Sequence, residues 1–262
     1  MNMECEARLL SWGALDSGGL HNPGGKTAWK DSRNDPSQVE RNQVLAQPFR
    51  SFGKLALADR LAFGAAALAL SGTTEGNVST TGISLGIPWG SLSTDLAFRD
   101  SIEQGYPSPA LFSSTLPSSA LTEVAIFFGL KGPNRTLADE DGAGLMALAL
   151  AIKTLRRGRA DAMLALFVRA ADPAARRREG LPDLATVPNA SCAFLLGRAD
   201  GSRRGGKRLR LRLNPAKHGV RTRSDDVYFR EVITMLDNEQ DGTLSVTTGR
   251  WEGKLTVETR RA

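Results

Sequence analysis

The stretch from Gly129 to Leu164 constrains the fold more than any other part of the chain. It reads GLKGPNRTLADEDGAGLMALALAIKTLRRGRADAML. A glycine-punctuated apolar run leads into an acidic turn at residues 138–142, called the elbow below, and then into a helix that is apolar on nearly every side. Little of that helix can face water, so the chain must bury it between other elements.

Up to about residue 200, predicted helices and strands alternate. Apolar periodicity predicts helices at Leu55–Leu70, Ser91–Glu103, Ala120–Phe128 and Ala143–Arg157. Continuous apolar runs predict buried strands at Val78–Ile87, Ala162–Val168 and Ser191–Leu196. Residues 16–50 are rich in Gly, Pro and Asn and are predicted as a loop. This alternation indicates an α/β layered domain over residues 1–200.

Residues 201–262 form a short, basic C-terminal extension with a different pattern. From Lys207 to Leu213 apolar and basic residues alternate, which predicts a strand with one apolar and one basic face. A short helix is predicted at Val227–Leu236, and a hairpin turning near Gly249–Gly253 is predicted within Thr243–Glu258. The extension is therefore predicted to consist of a strand, a helix and a hairpin.

The order and spacing of these segments resemble the N-terminal half of a β-ketoacyl synthase. Around the central helix, the matching residues are Gly132, Pro133, Gly144, Gly158 and Asp161. The further matching segments are the opening strand Ala7–Gly13, the first long helix Ala58–Leu70, the second strand Gly82–Gly86, the segment Tyr106–Ala120 and the closing strand Ala190–Gly197. The resemblance covers residues 7–198 and implies a thiolase-like layered αβα half-fold.

The resemblance places Asp141 where the family has its catalytic cysteine, counting back from Gly158. A cysteine-based condensing enzyme needs a thiolate at a helix N-terminus, donors for the developing oxyanion and two histidines that assist decarboxylation. A carboxylate at a helix N-terminus is stabilised as the anion, which makes it a poor nucleophile toward a thioester. We therefore interpret Asp141 as a helix-capping acid and expect no catalytic residue at the elbow.

Cysteine and histidine are scarce in this chain. It has two cysteines, Cys5 and Cys192, and two histidines, His21 and His218, in contexts unlike those of the family. We interpret both cysteines as structural thiols of a reducing cytoplasm. The acidic cluster at 139–141 has no nearby histidine or second acidic pair, so neither a metal nor a cofactor is expected. Catalysis by the family's route is not expected of this polypeptide alone.

Ketosynthase-like chains without the nucleophile include chain length factors, which pair with an active ketosynthase and shape the tunnel of the growing chain. Short versions occur with the systems that make aryl polyenes, and this chain resembles them in length and in its missing residues. The resemblance implies a heterodimer with an active β-ketoacyl synthase in fatty acid, polyketide or aryl polyene biosynthesis. It implies tunnel residues at Trp89, Leu92 and Leu96 and interface residues at Phe112 and Leu116, with ordinary core packing as the alternative.

The formal net charge of +6 is concentrated in the C-terminal third. Basic runs occur at Arg176–Arg178, Arg203–Arg208 and Arg221–Arg223. A basic face attracts acidic partners such as an acyl carrier protein, and a solvated surface is the alternative. Interleaved aromatics and a recognition helix are missing, which argues against nucleic acid. No apolar run reaches the ~20 residues that cross a bilayer, so a cytoplasmic protein without a membrane partner is predicted.

Two other functions remain open from the sequence. One is a divergent stand-alone acyltransferase or thioesterase, which loss of thioester turnover in Asp141→Ala would favour. The other is a basic binding module on a relic fold, which salt-sensitive affinity for duplex DNA would favour.

Overall fold

Helices lie on both faces of one mixed β-sheet. The computed structural model describes residues 3–29, 34–71, 78–139, 142–170, 178–179, 189–199, 206–216, 225–248 and 251–260. The strands are β1 (Met3–Asp16), β2 (Gly19–Asn22), β3 (Gly25–Thr27), β4 (Gly82–Gly86), β5 (Asn134–Leu137), β6 (Ala162–Arg169), β7 (Ala190–Gly197), β8 (Gly206–Pro215), β9 (Gly242–Thr247) and β10 (Trp251–Arg260). The helices are α1 (Arg41–Val44), α2 (Leu57–Ser71), α3 (Leu92–Glu103), α4 (Pro109–Phe112), α5 (Ser119–Phe128), α6 (Ala143–Arg156) and α7 (Asp225–Asp237).

The strand order along the sheet is β5-β4-β6-β7-β1-β8-β10-β9, with β2 and β3 attached to the end of β1. Strand β4 is parallel to β5 and β6, whereas β7 is antiparallel to both β6 and β1. Every residue of β4 and β6 is buried, as expected for strands that are covered on both faces. The carboxyl ends of β4, β5 and β6 therefore lie at one edge of the sheet, which is the edge where α6 begins.

One face of the sheet is covered by α2 and α5. Helix α2 is buried from Leu61 to Ala69. Gly13 of β1 allows this helix to approach closely, since a Cβ at position 13 would lie 2.5 Å from the Ala69 nitrogen and from Leu68 Cβ. Only glycine fits at such a distance. Beside α5, four aromatic rings of this core pack against one another: Phe49, Phe63, Phe127 and Phe128.

The opposite face of the sheet is covered by α6 and by α7 of the extension. The ring of Phe229 on α7 lies 5.3 Å from the ring of Phe167 and 5.8 Å from that of Phe194. The Tyr228 hydroxyl donates a hydrogen bond to the Thr247 carbonyl oxygen and lies equally close to the Thr247 N–H, at 2.6 Å. Helix α7 and the C-terminal hairpin therefore share one hydrophobic core with α6.

The extension continues the sheet of the preceding 200 residues. Strand β8 pairs with the first half of β1, β10 pairs with β8, and β9 pairs with β10. The side chains of Leu209, Leu211 and Leu213 are fully buried. The division at residue 200 into a ketosynthase-like N-terminal domain and an extension stays a prediction, and both parts contribute to one sheet and one core.

The basic face expected of β8 is neutralised by glutamates. The register of β1 and β8 places Glu6 opposite Arg210 and Glu4 opposite Arg212. The carboxylate of Glu6 lies 2.6 Å from Arg208 Nη1 and 2.8 Å from Arg210 Nη2. Glu4 Oε2 lies 2.8 Å from Arg212 Nη2. The arginines of this strand therefore form cross-strand ion pairs within the sheet. The runs Arg203–Gly205 and Arg221–Arg223 lie outside the described residues.

The predicted α/β layered fold and its long helices are confirmed. Two segments differ from the sequence prediction. Residues 16–50, predicted as a loop, contain the β2–β3 hairpin and α1. A two-residue turn at Ser17 and Gly18 lets β2 pair with the end of β1, and Gly19, the first residue of β2, has a φ of 134°. Within Val78–Ile87, residues 78–80 form a 3₁₀ turn, and only Gly82–Gly86 pair with neighbouring strands.

Candidate functional site

The elbow lies between β5 and α6, as the sequence predicts. Strand β5 ends at Leu137 and α6 begins at Ala143. Gly142 is the N-cap residue, with a φ of 99° that favours glycine. Glu140 and Asp141 lie outside the described residues, so the position that matches the family's cysteine is defined by the sequence.

The first turn of α6 is enclosed on two sides. Residues 142–145 are all buried. On one side a Cβ on Gly86, at the end of β4, would lie 2.5 Å from the Ala143 carbonyl carbon. On the other side a Cβ on Gly142 would lie 3.0 Å from Thr248 Cγ2. The helix start that carries the nucleophile in an active family member is therefore covered by a residue of the C-terminal extension.

Thr248 is held firmly over the helix start. Its side chain is buried, its N–H donates to the Trp251 carbonyl oxygen at 2.7 Å, and its Oγ1 accepts from the Trp251 N–H at 3.0 Å. The neighbouring Thr247 is bound by Tyr228 of α7. Sequence reasoning missed Thr248, because no local signal connects a threonine in a C-terminal hairpin with a helix that starts at residue 143.

Both cysteines lie in the hydrophobic core, as predicted for structural thiols. Cys5 on β1 and Cys192 on β7 are buried, and neither forms a disulfide. Burial raises the pKa of the Cys5 thiol to about 11. At neutral pH this thiol is therefore protonated and unreactive, because the thiolate is the nucleophilic form.

His21 lies between two carboxylates and joins the extension to β1. Its Nδ1 is 2.6 Å from Asp237 Oδ2, at the end of α7, and its Nε2 is 3.1 Å from Asp16 Oδ1, at the end of β1. Burial by itself would lower the pKa of His21, but the hydrogen bonds and charges of Asp16 and Asp237 outweigh it and raise that pKa. Burial favours the protonated form of Asp16, but hydrogen bonds from His21 and Gly18 lower its pKa.

This geometry gives His21 a structural role. Both ring nitrogens are engaged by carboxylates, so neither is available to a substrate. The sequence shows no signal for this cluster, since Asp237 is 216 residues away from His21 along the chain. His218 lies outside the described residues.

The three predicted tunnel residues lie at the start of α3 and in the turn before it. Trp89 and Leu92 are half-buried, and Leu96 is buried. Leu92 and Leu96 are four residues apart on α3 and therefore lie on the same side of that helix. Their assignment to a tunnel stays a prediction.

The two predicted interface residues are exposed. Phe112 is 62% exposed and Leu116 is 65% exposed. Within the described residues, all large exposed hydrophobic side chains lie in one segment, which we call the 102–126 apolar surface: Ile102, Tyr106, Phe112, Leu116 and Ile126. Exposed apolar side chains that form a contiguous patch are typical of interaction surfaces.

The described residues contain no group of three or more His, Cys, Asp or Glu side chains arranged to hold a metal ion. None of the helices described is long and apolar enough to span a bilayer.

The sequence matches the family model of the β-ketoacyl synthase N-terminal domain over residues 55–205, more than half of the chain. The chain therefore belongs to the β-ketoacyl synthase family and represents it through this N-terminal domain. No functionally curated protein matches the sequence.

Several solved structures share the fold. A chain of the Xenorhabdus doucetiae ketosynthase ApeO in complex with its chain length factor ApeC aligns with a TM-score of 0.65 and 14% identity, covering 95% of this chain and 99% of that one. The ishigamide ketosynthase/chain length factor aligns with a TM-score of 0.61 and 21% identity, covering 78% of this chain and 65% of that one. A β-ketoacyl synthase from Burkholderia phymatum STM815 aligns with a TM-score of 0.56 and 15% identity, covering 91% and 71%. These similarities confirm the thiolase-like ketosynthase fold.

The contact between Gly142 and Thr248 generates a prediction about stability. Gly142→Ala should lower the free energy of unfolding by about 1–3 kcal/mol, because alanine is strained in the left-handed backbone conformation of this position. The new methyl group would also meet Thr248, which should lower the free energy of unfolding further. Gly206→Ala is the matched control, since Gly206 has a φ of 94° and open space around its Cβ position. Urea unfolding should show the larger loss for Gly142→Ala, partly recovered by Thr248→Ser. Equal losses in the two alanine variants would contradict the contact.

The His21 cluster generates a prediction about pH. His21→Gln should lower the free energy of unfolding by about 1–3 kcal/mol at pH 6, because two half-buried carboxylates lose a charged donor. Because the pKa of His21 is raised in the folded state, the stability that its charge contributes is complete below the unfolded pKa of about 6.5 and is lost as pH rises through the folded pKa. Because the pKa of Asp16 is lowered in the folded state, the stability that its charge contributes is complete above the unfolded pKa of about 3.9 and is lost as pH falls through the folded pKa.

Thermal unfolding of wild type and His21→Gln across pH 3–9 measures this difference, which should be largest between about pH 4 and 6.5. Asn238→Ala, at the exposed neighbour of Asp237, should be within about 0.5 kcal/mol of wild type at every pH. A constant difference between His21→Gln and wild type at all pH values would show that His21 does not act through its charge.

Proposed function

We propose that this chain is a non-catalytic, chain length factor-like subunit that pairs with an active β-ketoacyl synthase. The pair would act in fatty acid, polyketide or aryl polyene biosynthesis, in the cytoplasm and without a cofactor. The observation that carries the proposal is the combination of a ketosynthase elbow without cysteine and a large apolar surface on the same domain.

The elbow supports a non-catalytic role. The sequence has Asp141 at the position of the family's nucleophile, and the two cysteines of the chain lie elsewhere in the core. The buried helix start beneath Thr248 leaves little room for a thioester beside residues 142–145. His21 is occupied by Asp16 and Asp237, so it does not supply the decarboxylation chemistry of the family.

The similar structures support the choice of partner. Two of them come from ketosynthases paired with chain length factors, and the ApeO–ApeC match covers 99% of the matched chain. The chain spans 65% of the ishigamide protein it matches, so the partner is carried over here as a proposal. A third match comes from a ketosynthase in complex with its acyl carrier protein, with a TM-score of 0.56 and 15% identity.

The 102–126 apolar surface is the proposed docking site for the ketosynthase. One of its members, Ile126, is on α5, which packs on β4 and leads into β5 at the end of the sheet. Among the described strands, β5 has β4 as its one neighbour, so its outer edge is available to continue the sheet. Exposed apolar side chains and an unpaired strand edge are both features that a stable protein partner can cover.

An acyl carrier protein is the second proposed partner. It would bind to exposed basic side chains that lie outside the ion pairs of the sheet. The arginines of β8 are paired with glutamates, whereas Arg157 and Arg159, in the turn after α6, are among the exposed basic residues. Positive charge of this kind raises the encounter rate with an acidic partner.

Co-expression with the ketosynthase encoded nearest to this gene tests the main proposal. The two chains should co-elute as a one-to-one complex in size-exclusion chromatography. Phe112→Asp/Leu116→Asp should abolish co-elution, because two carboxylates would have to lose their hydration in the interface. Leu116 is exposed, so its replacement should change the stability of the isolated chain by no more than about 0.5 kcal/mol. The Phe112 ring lies 5.3 Å from the Phe98 ring, so loss of that contact should cost about 0.5–1.5 kcal/mol.

Thr27→Asp/Ala28→Asp is the control for charge, because both residues are exposed on the β2–β3 hairpin. This variant should co-elute like wild type. Separate elution of the two wild-type chains would count against the proposed partner. Co-elution that persists with aspartate at both Phe112 and Leu116 would count against the proposed surface.

The predicted tunnel residues generate a prediction about product length. In the reconstituted complex, Leu92→Trp should shorten the product, because a larger half-buried side chain narrows the space beside α3. Glu103→Trp, at the exposed end of the same helix, should leave the product unchanged. Mass spectrometry of the released chains measures both, and equal product lengths in the two variants would remove Leu92 from the tunnel.

A further inference from the structure

A buried carboxylate lies beneath the segment that carries Phe112 and Leu116. Asp59, in the first turn of α2, is only 2% exposed. An acidic side chain is almost never fully buried unless other groups satisfy it. The site described above does not use Asp59, so its burial requires a separate explanation.

Two serines supply hydrogen bonds to this carboxylate. Ser119, the first residue of α5, donates from Oγ to Asp59 Oδ1 at 2.7 Å. The side chain of Ser114 hydrogen-bonds to Asp59 as well. These serines flank residues 115–118, so one buried side chain fixes both ends of the segment that contains Leu116.

The other attachments of this segment are mostly polar or local. Ser91 Oγ donates to the Thr115 carbonyl oxygen and lies 3.1 Å from the Asp95 carboxylate. Pro117 lies against Gly90, where an added Cβ would be 3.1 Å from Pro117 Cγ. Because Leu116 is exposed, its side chain adds little apolar burial to this segment, and the hydrogen bonds to Asp59 help to hold the conformation of the segment.

We propose that Asp59 is a positioning residue for partner docking, which holds residues 114–119 in the conformation that presents Phe112 and Leu116 to the ketosynthase. The inference rests on the proposed function of the 102–126 apolar surface. Asp59 lies in the core and therefore acts through Ser114 and Ser119 rather than by touching the partner.

The ionisation of Asp59 supplies an independent readout. Burial raises its pKa to about 6, although the hydrogen bonds from Ser119 and Ser114 lower it, and the nearby Glu123 on α5 raises it further. Residues 113–119 contain no ionisable side chain. Since the folded pKa lies above the unfolded value of about 3.9, protonation of Asp59 adds stability that is complete below that value and is lost as pH rises through about 6. Above that pH the carboxylate still accepts the hydrogen bonds of Ser119 and Ser114.

Hydrogen exchange of the isolated chain tests the anchor without a partner. Asp59→Ala should increase exchange at residues 109–119 by about tenfold or more, as expected when hydrogen bonds to a charged group are lost. The amides of β4 and β6 should keep their protection. Asp59→Asn retains an acceptor and a donor for the two serines, so its protection should equal or exceed that of wild type and should not change between pH 5 and 7.

Asp161→Ala is the control for loss of an acid, because Asp161 is exposed and pairs with Arg198 at the surface. It should leave exchange at residues 109–119 unchanged. Ser119→Ala is the second variant if Asp59→Ala does not fold, and it should increase exchange in the same segment. Unchanged exchange in both Asp59→Ala and Ser119→Ala would overturn the anchor.

Affinity for the ketosynthase tests the docking role, with Asp59→Ala expected to raise Kd by about tenfold or more and Asp59→Asn expected to restore it. A wild-type chain that binds and an Asp59→Ala variant with the same Kd would overturn the positioning role and leave the proposed function intact. A wild-type chain that binds no ketosynthase would overturn the docking role together with the proposed function, even if the exchange data support the anchor.

Discussion

Helix α6 is apolar on nearly every side, and the elements around it bury most of its residues. Strands β4 and β6 pack against it from the sheet, while α7 and the β9–β10 hairpin add side chains to the same core. This requirement explains why residues 206–260 extend the sheet of the preceding domain. A layered half-fold that left this helix bare would expose a large apolar area, which soluble chains avoid.

The same enclosure affects the chemistry of the elbow. The start of α6 lies at the carboxyl edge of the parallel strands, where Gly86 and Gly142 allow neighbouring backbone and Thr248 to approach closely. In an active member of the family this helix start presents a thiolate to a thioester. Here Thr248 of the extension lies close to Gly142 at that helix start, and the sequence has Asp141 at the nucleophile position.

The function proposed for this chain depends on a surface outside the elbow. Among the described residues, the large exposed hydrophobic side chains lie between Ile102 and Ile126. Two polar clusters connect elements that are distant in the chain. His21 joins β1 to the extension, and Asp59 joins α2 to the segment before α5.

The sequence by itself determined most of the helices and buried strands and the position of the elbow, because apolar periodicity and residue identity are local properties. Through the family resemblance it also predicted Asp141 at the nucleophile position and Phe112 and Leu116 as interface residues. Only the tertiary structure decided which charges meet, such as Glu6 with Arg208 and Arg210, or His21 with Asp237. It also decided that Thr248 covers the start of α6. These contacts join residues one hundred or more positions apart, and the register of a sheet, which local sequence patterns only partly define, brings them together.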